Sequence, residues 1–151
     1  MNILLVCTGN TCRSAMAGGL FEKAIDDDYD GCINIDTAGI NVYVPGPASE
    51  NAVKVMEEMD IDISDHESKQ IAKEDIEEAD LILVMTAGHR NILIDLYPQY
   101  SDKVYTFHEY AYGSEEEISD PFGGDEEEYR ECALQLKDVI DAVYAKIKQN
   151  L

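Results

Sequence analysis

The sequence predicts an α/β fold in which one domain spans residues 1–151 and a parallel sheet is covered by helices on both faces. Short apolar runs alternate along the chain with segments of helical periodicity, which is typical of βαβ units. Two of these runs, "NILLV" and "LILVM", are continuously apolar, as strands buried on both faces are. A chain of 151 residues can bury a full core without disulfides or a metal.

The elements follow in chain order from these local patterns. Four strands are predicted, over residues 2–6, 33–37, 81–85 and 104–107. Apolar residues three and four positions apart predict helices over residues 14–25, 47–59, 89–97 and 126–148, with one short helical turn over residues 75–78. Pro98 ends the helix that precedes it. Residues 112–124 are predicted as a loop that contains "SDPFGG".

The composition is strongly acidic, with 32 acidic residues against 11 basic ones and a net charge of −21. Such a field repels nucleic acid and anionic lipid, so neither is expected as a partner. The N-terminal apolar run is short and lacks a basic flank, and no apolar stretch reaches the roughly 20 residues of a membrane span. We therefore expect a cytoplasmic protein, in which any phosphate site supplies its own local positive potential.

Four cysteines are present without a C-x-x-C motif or a Cys/His cluster at zinc spacing, so no metal is expected. In a cytoplasmic chain these residues are thiols by default. Cys32 and Cys132 are predicted to pack as small hydrophobic side chains. Cys7 and Cys12 lie in a different setting.

The segment "CTGNTCRS" follows the first strand and opens the first helix, where ligands of parallel α/β sheets bind. Small residues and Gly9 let successive backbone N–H groups form an anion-binding nest, and the helix N-terminus adds to it. This pattern alone predicts a site for an oxyanion.

Cys7 adds a nucleophile, because backbone donors and the helix dipole favour its thiolate. Arg13 provides a planar fork for two phosphoryl oxygens, and Ser14 can cap the helix and donate its hydroxyl to the sulfur. A cysteine and an arginine at this spacing are weak evidence by themselves. The preceding strand, the glycine, the serine and the following helix make the combination specific for nucleophilic attack on phosphorus.

Asp120 in "SDPFGG" is the candidate general acid, because expulsion of a leaving group needs a proton. Taken alone, the Asp-Pro pair can simply begin a turn, which Pro121 stiffens and the two glycines permit. Its presence in the same chain as Cys7 and Arg13 favours the catalytic interpretation.

With "LLVCTGNTCRSAMA" and "DPFGG", the chain resembles the low-molecular-weight protein tyrosine phosphatase family. Further similar stretches are residues 36–40, 46–71, 79–86 and 102–110, so the resemblance spans almost the whole chain. It implies a four-stranded parallel twisted sheet in a flavodoxin-like three-layer arrangement. It also implies a phosphorylated protein as substrate, inorganic phosphate as product, no cofactor and a monomer.

The resemblance implies a two-step reaction in which Cys7 attacks phosphorus, Asp120 protonates the leaving group, and water then hydrolyses the phosphocysteine. Residues 8–12 and Ser14 would bind the phosphoryl group, which adds Thr8, Gly9, Asn10, Thr11 and Cys12 to the site. Asn10 would brace the loop and Ser14 would stabilise the leaving thiolate. His66 would support Asn10, or is simply an exposed histidine in a turn. Cys12 would form a reversible disulfide with Cys7, or is a small loop side chain.

Thr11 and "DPFGG" resemble the bacterial protein-arginine phosphatase branch, whereas many tyrosine-specific members carry a bulkier aliphatic residue at position 11 and paired aromatic residues after Asp-Pro. Thr11 could position the hydrolytic water, and Phe122 could stack on a guanidinium. An acidic surface also suits a cationic substrate. Phosphoarginine is therefore the predicted substrate, with phosphotyrosine as the alternative.

Two residues depart from the family pattern "CRSPMAE". Ala15 lacks the fixed backbone of a proline in the first helical turn, and Gly18 replaces a carboxylate at a cost of roughly 1 kcal/mol in helix propensity. Neither change removes a catalytic group, but both bear on the rigidity of the loop.

Three other functions compete with a phosphatase. An FMN-binding, flavodoxin-like electron carrier would use "TGNT" as its phosphate loop but has no use for Cys7 and Arg13. An arsenate reductase would need a cysteine pair in a mobile segment, and residues 60–100 contain no cysteine. A catalytically idle phosphoprotein binder would not need the complete set of Cys7, Arg13 and Asp120.

Overall fold

The computed structural model describes residues 1–28 and 31–150, and it confirms the predicted α/β fold. Four parallel strands form one sheet in the order β2-β1-β3-β4. They are β1 (Asn2–Cys7), β2 (Asn34–Gly39), β3 (Leu81–Val84) and β4 (Val104–Thr106). The two strands predicted from continuous apolar runs, β1 and β3, are neighbours at the centre of the sheet.

Within residues 1–28 and 31–150, six α-helices connect and flank the strands. They are α1 (Arg13–Asp27), α2 (Glu50–Glu58), α3 (Lys73–Glu78), α4 (Ala87–Leu96), α5 (Phe107–Tyr112) and α6 (Glu126–Gln149). A 3₁₀ helix, Pro98–Lys103, follows α4 at the proline that was predicted to end it. The other helices keep their predicted places, with ends shifted by a few residues.

The central strands bury both faces, as their sequences predict. Ile3 and Leu5 of β1 belong to a core shared with α1, α2, α5 and α6, whereas Leu4 and Val6 belong to a core shared with α3 and α4. Successive side chains of a strand point to opposite faces, so a continuous apolar run supplies both cores at once. The result is three layers, with the sheet in the middle.

The helix α5 and the 3₁₀ helix were not predicted, because six-residue segments are too short to show a helical period. The capping signal of α5 was nevertheless in the sequence. The Thr106 hydroxyl accepts a hydrogen bond from Glu109 N at 3.0 Å, and the Glu109 carboxylate accepts one from Thr106 N at 2.9 Å. Gly113 ends the helix with a φ of 67°.

The structure corrects the prediction for Cys32 and gives a packing reason for Gly18. Cys132 is buried in the core as predicted, but Cys32 is exposed, because it lies in the turn before β2 rather than on a strand or helix face. Gly18 has a packing reason, since a Cβ at this position would lie 2.9 Å from Cγ2 of Thr37. The glycine therefore lets α1 approach β2 closely.

Along residues 1–28 and 31–150, we find no helix with both the length and the apolar character that crossing a membrane requires.

Candidate active site

The candidate active site is formed by residues 8–12, which connect the end of β1 to the start of α1. This loop is held from outside by the segment that follows β2. Asn41 N donates to Thr8 O at 2.9 Å, and Ser49 N donates to Thr11 O at 3.0 Å. Because these carbonyls accept hydrogen bonds from residues outside the loop, the loop is held in one curved conformation.

Cys7 lies at the carboxyl end of β1 and is buried, with its sulfur facing the loop. Asn10 N donates to Cys7 Sγ at 3.2 Å, and the Ser14 hydroxyl lies 2.9 Å from the same sulfur. Two donors and the N-terminus of α1 therefore meet at one sulfur atom. A cysteine in such surroundings is suited to nucleophilic chemistry.

The side chain of Asn10 links the loop to the rest of the fold. Asn10 is fully buried with a φ of 57°, and its Nδ2 donates to the Ser14 hydroxyl at 2.7 Å and to Thr37 Oγ1 at 3.0 Å. Its Oδ1 accepts from Lys69 N at 3.0 Å. His66 Nε2 lies 2.7 Å from the backbone oxygen of Asn10 and donates to it, since a carbonyl can only accept. The structure thus places His66 behind Asn10 and not free in a turn.

Arg13 is buried in the first turn of α1, and its fork reaches across to the loop that follows α5. Nη1 donates to the Ile118 carbonyl at 2.9 Å, and Nη2 lies 3.5 Å from Oδ2 of Asp120. The other two arginines make ion pairs elsewhere, Arg90 with Glu109 and Arg130 with Glu58. Arg13 is therefore the arginine that lies beside Cys7.

Asp120 is half-exposed at the rim of the site, in a turn that its own side chain closes. Phe122 N donates to Asp120 Oδ1 at 3.0 Å, and Gly124 N donates to Pro121 O at 2.8 Å. Gly123 has a φ of 80°, a conformation that glycine adopts without strain. The "DPFGG" segment is thus a turn, as Asp-Pro alone suggests, and this turn carries the carboxylate to the pocket.

These residues enclose a pocket of about 200 Å³. Its walls are formed by Cys7, Thr8, Gly9, Asn10, Thr11, Cys12, Arg13, Asp120 and Phe122. Nine of the ten predicted site residues therefore line one cavity. The tenth, Ser14, lies behind Cys7 and was wrongly predicted to cap α1. Cys12 is the N-cap residue of α1 and makes no side-chain cap bond. Ser14 does not cap the helix, because its hydroxyl contacts Cys7 and Asn10 instead.

A larger cleft of about 600 Å³ lies along α1. Its lining contains two lysines, Lys23 and Lys69, and His66, and it contains eight carboxylates, namely Glu22, Asp26, Asp27, Asp36, Asp60, Asp62, Asp65 and Glu67. Burial, with Asp26 and Asp65 nearby, raises the pKa of Glu22 above its usual range. A phosphate would be repelled there, so the smaller pocket around Cys7 is the one suited to an anion.

Cys12 is buried beneath the loop, where Tyr129 of α6 contacts it. The Tyr129 hydroxyl lies 3.2 Å from Cys12 Sγ, and the Cys12 thiol donates to Ser49 Oγ at 3.6 Å. Burial, together with the bond to Cys12, raises the pKa of Tyr129 to about 12. Cys7 and Cys12 are both free thiols in this structure, and the reversible disulfide between them stays a prediction.

His89 is a site residue that sequence analysis missed. It is buried in the first turn of α4, and its Nε2 lies 2.8 Å from Oγ1 of Thr8 at the pocket wall. The helix was predicted to begin at residue 89, which hid the capping signal of Thr86 three positions earlier. The Thr86 hydroxyl accepts from His89 N at 3.2 Å and thereby fixes the orientation of the turn.

No group of three or more His, Cys, Asp or Glu side chains is arranged to hold a metal ion within the described part of the chain.

Residues 2–151 match the family described as low molecular weight phosphotyrosine protein phosphatase. The chain belongs to this family. The match covers the sheet, the Cys7 loop and the Asp120 turn together, and it leaves the flavodoxin-like electron carrier without support.

Proteins named as arginine phosphatases and proteins named as tyrosine phosphatases are both similar to this chain. A protein-arginine-phosphatase of Bacillus subtilis (strain 168) is 37% identical over 150 residues, covering 99% of both chains. The solved structure of a YwlE arginine phosphatase mutant with a phosphorylated active-site serine has a TM-score of 0.94 at 36% identity, covering 98% of this chain and 96% of the other. A low molecular weight protein tyrosine phosphatase from T. tengcongensis has a TM-score of 0.92 at 40% identity, covering 97% of this chain and 99% of the other.

Proposed function

We propose that this protein hydrolyses phosphoarginine residues of proteins through a phosphocysteine intermediate. The observation that carries the proposal is the convergence of Cys7, Arg13 and Asp120 on one pocket of about 200 Å³. This pocket offers a nucleophile, a fixed cation and a proton donor within one small volume. Such a set performs phosphoryl transfer without a metal.

In the first step, Cys7 Sγ attacks phosphorus, and the bond between phosphorus and the guanidine nitrogen breaks. Asp120 gives its proton to that nitrogen, so that arginine leaves with its side chain intact. The fork of Arg13 holds two equatorial phosphoryl oxygens, and the backbone N–H groups of the loop bind the remaining negative charge. The Asp120 carboxylate is half-exposed at the rim of the pocket, whereas Cys7 is buried in its wall.

In the second step, the Asp120 carboxylate removes a proton from water, which attacks phosphorus as the bond to sulfur breaks. Inorganic phosphate leaves and Cys7 returns as a thiolate. Asn10 N at 3.2 Å and the Ser14 hydroxyl at 2.9 Å stabilise that thiolate, so the phosphocysteine has a good leaving group. The side chain of Asn10 and that of His66 keep these donors in place and act through them, whereas the backbone N–H of Asn10 contacts the sulfur itself.

Three observations favour phosphoarginine. Thr11 is a polar, β-branched wall residue that can position water, and the aromatic ring of Phe122, which is 76% exposed, is free to stack on a planar cation. The net charge of −21 attracts an arginine-rich segment. The relatives named as arginine phosphatases align along nearly the full chain at 36–37% identity.

Phosphotyrosine is the second candidate substrate. The observation in its favour is the family description together with a tyrosine phosphatase structure at 40% identity. The chemistry at Cys7 would be the same, with a phenol oxygen as the leaving atom. The wall formed by Thr11 and Phe122 would then serve packing alone.

The test is phosphate release by the purified protein from a phosphoarginine-containing protein and from a phosphotyrosine peptide, measured in parallel. We expect faster release from phosphoarginine and none from Cys7→Ser. Cys32→Ser is the matched control, because this exposed cysteine lies outside the pocket. Faster release from phosphotyrosine would keep the mechanism and reject the substrate. Release that survives in Cys7→Ser would reject the mechanism.

A further inference from the structure

His89 is a buried titratable residue that the two-step mechanism does not use, yet it touches the pocket wall. Its Nε2 lies 2.8 Å from Thr8 Oγ1, and its Nδ1 lies 3.2 Å from Thr86 Oγ1. Both ring nitrogens therefore have a hydroxyl partner. The Thr86 oxygen already accepts the backbone N–H of His89, so the ring is held by the same cap that starts α4.

The imidazole is uncharged at neutral pH. Burial and the nearby positive charge of Arg13 lower the pKa of His89 to about 4, against the opposing carboxylates of Asp120 and Glu117. A neutral ring has one N–H donor and one acceptor nitrogen. It can therefore accept a proton from one hydroxyl and donate to the other, whereas a doubly protonated ring could only donate to both.

Thr8 is the pocket residue whose hydroxyl contacts His89. It follows Cys7 directly, it is exposed toward the pocket, and its backbone oxygen is already bonded to Asn41 N at 2.9 Å. Its side chain lines the pocket, and the hydroxyl, which is the polar group of that side chain, lies 2.8 Å from Nε2 of His89. A hydroxyl has one proton to donate and two lone pairs to accept.

We propose that Thr8 and His89 form a specificity pair, in which the Thr8 hydroxyl donates to Nε2 of His89 and its oxygen accepts an N–H of the substrate guanidine. This inference rests on the proposed phosphoarginine function. The Nδ1–H of His89 donates to Thr86 Oγ1 in this arrangement. Thr8 contacts substrate and determines specificity, whereas His89 is a positioning residue that acts through Thr8.

The chemistry of the two candidate substrates gives the pair its effect. A phosphorylated guanidine carries several N–H donors beside the bond that breaks, whereas the ring of phosphotyrosine offers none at that position. With its proton given to His89, Thr8 presents only lone pairs to the pocket and matches the donor-rich substrate. An uncharged His89 also avoids placing a second cation against a cationic side chain.

The experiment compares wild type, Thr8→Val, Thr8→Ser, His89→Phe and the double variant on matched phosphoarginine and phosphotyrosine peptides. We expect Thr8→Val to lower the ratio of kcat/KM for phosphoarginine to that for phosphotyrosine by about tenfold, as loss of a specific hydrogen bond does. Thr8→Ser, which keeps the hydroxyl, restores the ratio. His89→Phe lowers the ratio in the same direction and adds no further loss in the Thr8→Val background.

Several results would overturn the pair. Equal losses on both peptides would make Thr8 a purely structural residue, and additive losses in the double variant would show that His89 acts independently of Thr8. Nitrogen-15 NMR of wild type at neutral pH should show the His89 proton on Nδ1, and a proton on Nε2 contradicts the assigned hydrogen-bond direction. If His89→Phe does not fold, the Thr8 variants and this spectrum still decide.

The proposed function can fail separately. A wild type that releases phosphate from phosphotyrosine but not from phosphoarginine overturns the function and this pair together. A wild type that prefers phosphoarginine, with Thr8→Val keeping the same ratio, overturns the pair alone.

Discussion

Nη2 of Arg13 lies 3.5 Å from Oδ2 of Asp120, so the cation beside the nucleophile also contacts the candidate general acid. The same guanidinium donates to the carbonyl of Ile118, two residues before that acid. One buried side chain therefore joins the start of α1 to the turn on the opposite wall. The position of the acid depends on the residue that is proposed to bind the phosphoryl group.

Asp120→Asn should lower kcat by about 10²- to 10⁴-fold, because the amide cannot protonate the leaving group. The fold should be retained, since the side chain is half-exposed. Steady-state kinetics with aryl phosphates of differing leaving-group acidity are the measurement. The variant should favour acidic leaving groups more strongly than wild type does. Asp95→Asn, on the exposed surface of α4, is the control, and an unaltered leaving-group dependence in Asp120→Asn would count against the assignment.

Arg13→Lys should lower kcat/KM by about 10²-fold or more, because a lysine cannot hold two phosphoryl oxygens in a planar fork. It also loses the bond to the buried Ile118 carbonyl, which should reduce the free energy of unfolding by about 1–3 kcal/mol. Kinetics and urea titration measure the two effects. Arg130→Lys removes an exposed fork from α6 and should leave kcat/KM unchanged. Equal kinetic losses in both variants would contradict the role given to Arg13.

Asn10→Ala should lower the free energy of unfolding by about 2–4 kcal/mol. Alanine tolerates the left-handed backbone conformation at this position less well than asparagine does, and the buried groups that bond the Asn10 amide lose their partner. Asn10→Gly removes the same side chain but tolerates the φ of 57°. The difference between the two variants in urea unfolding therefore isolates the backbone contribution, and glycine should be the less damaging. If glycine proves as destabilising as alanine, the backbone conformation contributes little.

The stability of the fold should fall as the pH drops from about 6.5 to about 4, partly because of His89. Its folded pKa of about 4 is below the ordinary value of 6.5, so the unfolded chain binds a proton that the folded chain refuses. The contribution of neutral His89 to the free energy of unfolding is fully present above about pH 6.5. Near pH 4, about 3 kcal/mol of this contribution is lost. Urea unfolding at pH 7 and at pH 4.5 measures it. The drop between the two values should be smaller in His89→Phe than in wild type, and an identical drop would refute this account.

The fold and the composition of the pocket could be predicted because each rests on local sequence. Continuous apolar runs reveal β1 and β3, and the chain order of "CTGNTCRS" places Cys7 and Arg13 on one turn. Asp120 was found from its loop chemistry and the resemblance. His89 and Tyr129 were missed because they reach the loop from α4 and α6, and no spacing rule connects residue 8 with residue 89 or residue 12 with residue 129.

The sequence predicts the contact of Ser14 with Cys7, which the structure contains, and a cap of α1 by Ser14, which it does not contain. The type and position of Ser14 suit both a helix cap and a thiolate donor, and only the place of Asn10 decides between them. Once Asn10 adopts a φ of 57°, its amide occupies the Ser14 hydroxyl from one side while Cys7 occupies the other. The cap is lost because three side chains share one hydrogen-bond chain.

The acidic cleft along α1 bears on how a catalytic cycle ends. Inorganic phosphate released from the Cys7 pocket is a dianion, and it leaves the positive charge of Arg13. Outside the pocket it meets a negative field, which the carboxylates of that cleft and the net charge of −21 produce. Rebinding is opposed by the whole molecule, while the single cation of Arg13 acts only at contact range. We therefore expect this field to favour release of inorganic phosphate, and we expect added phosphate to inhibit only weakly at low ionic strength.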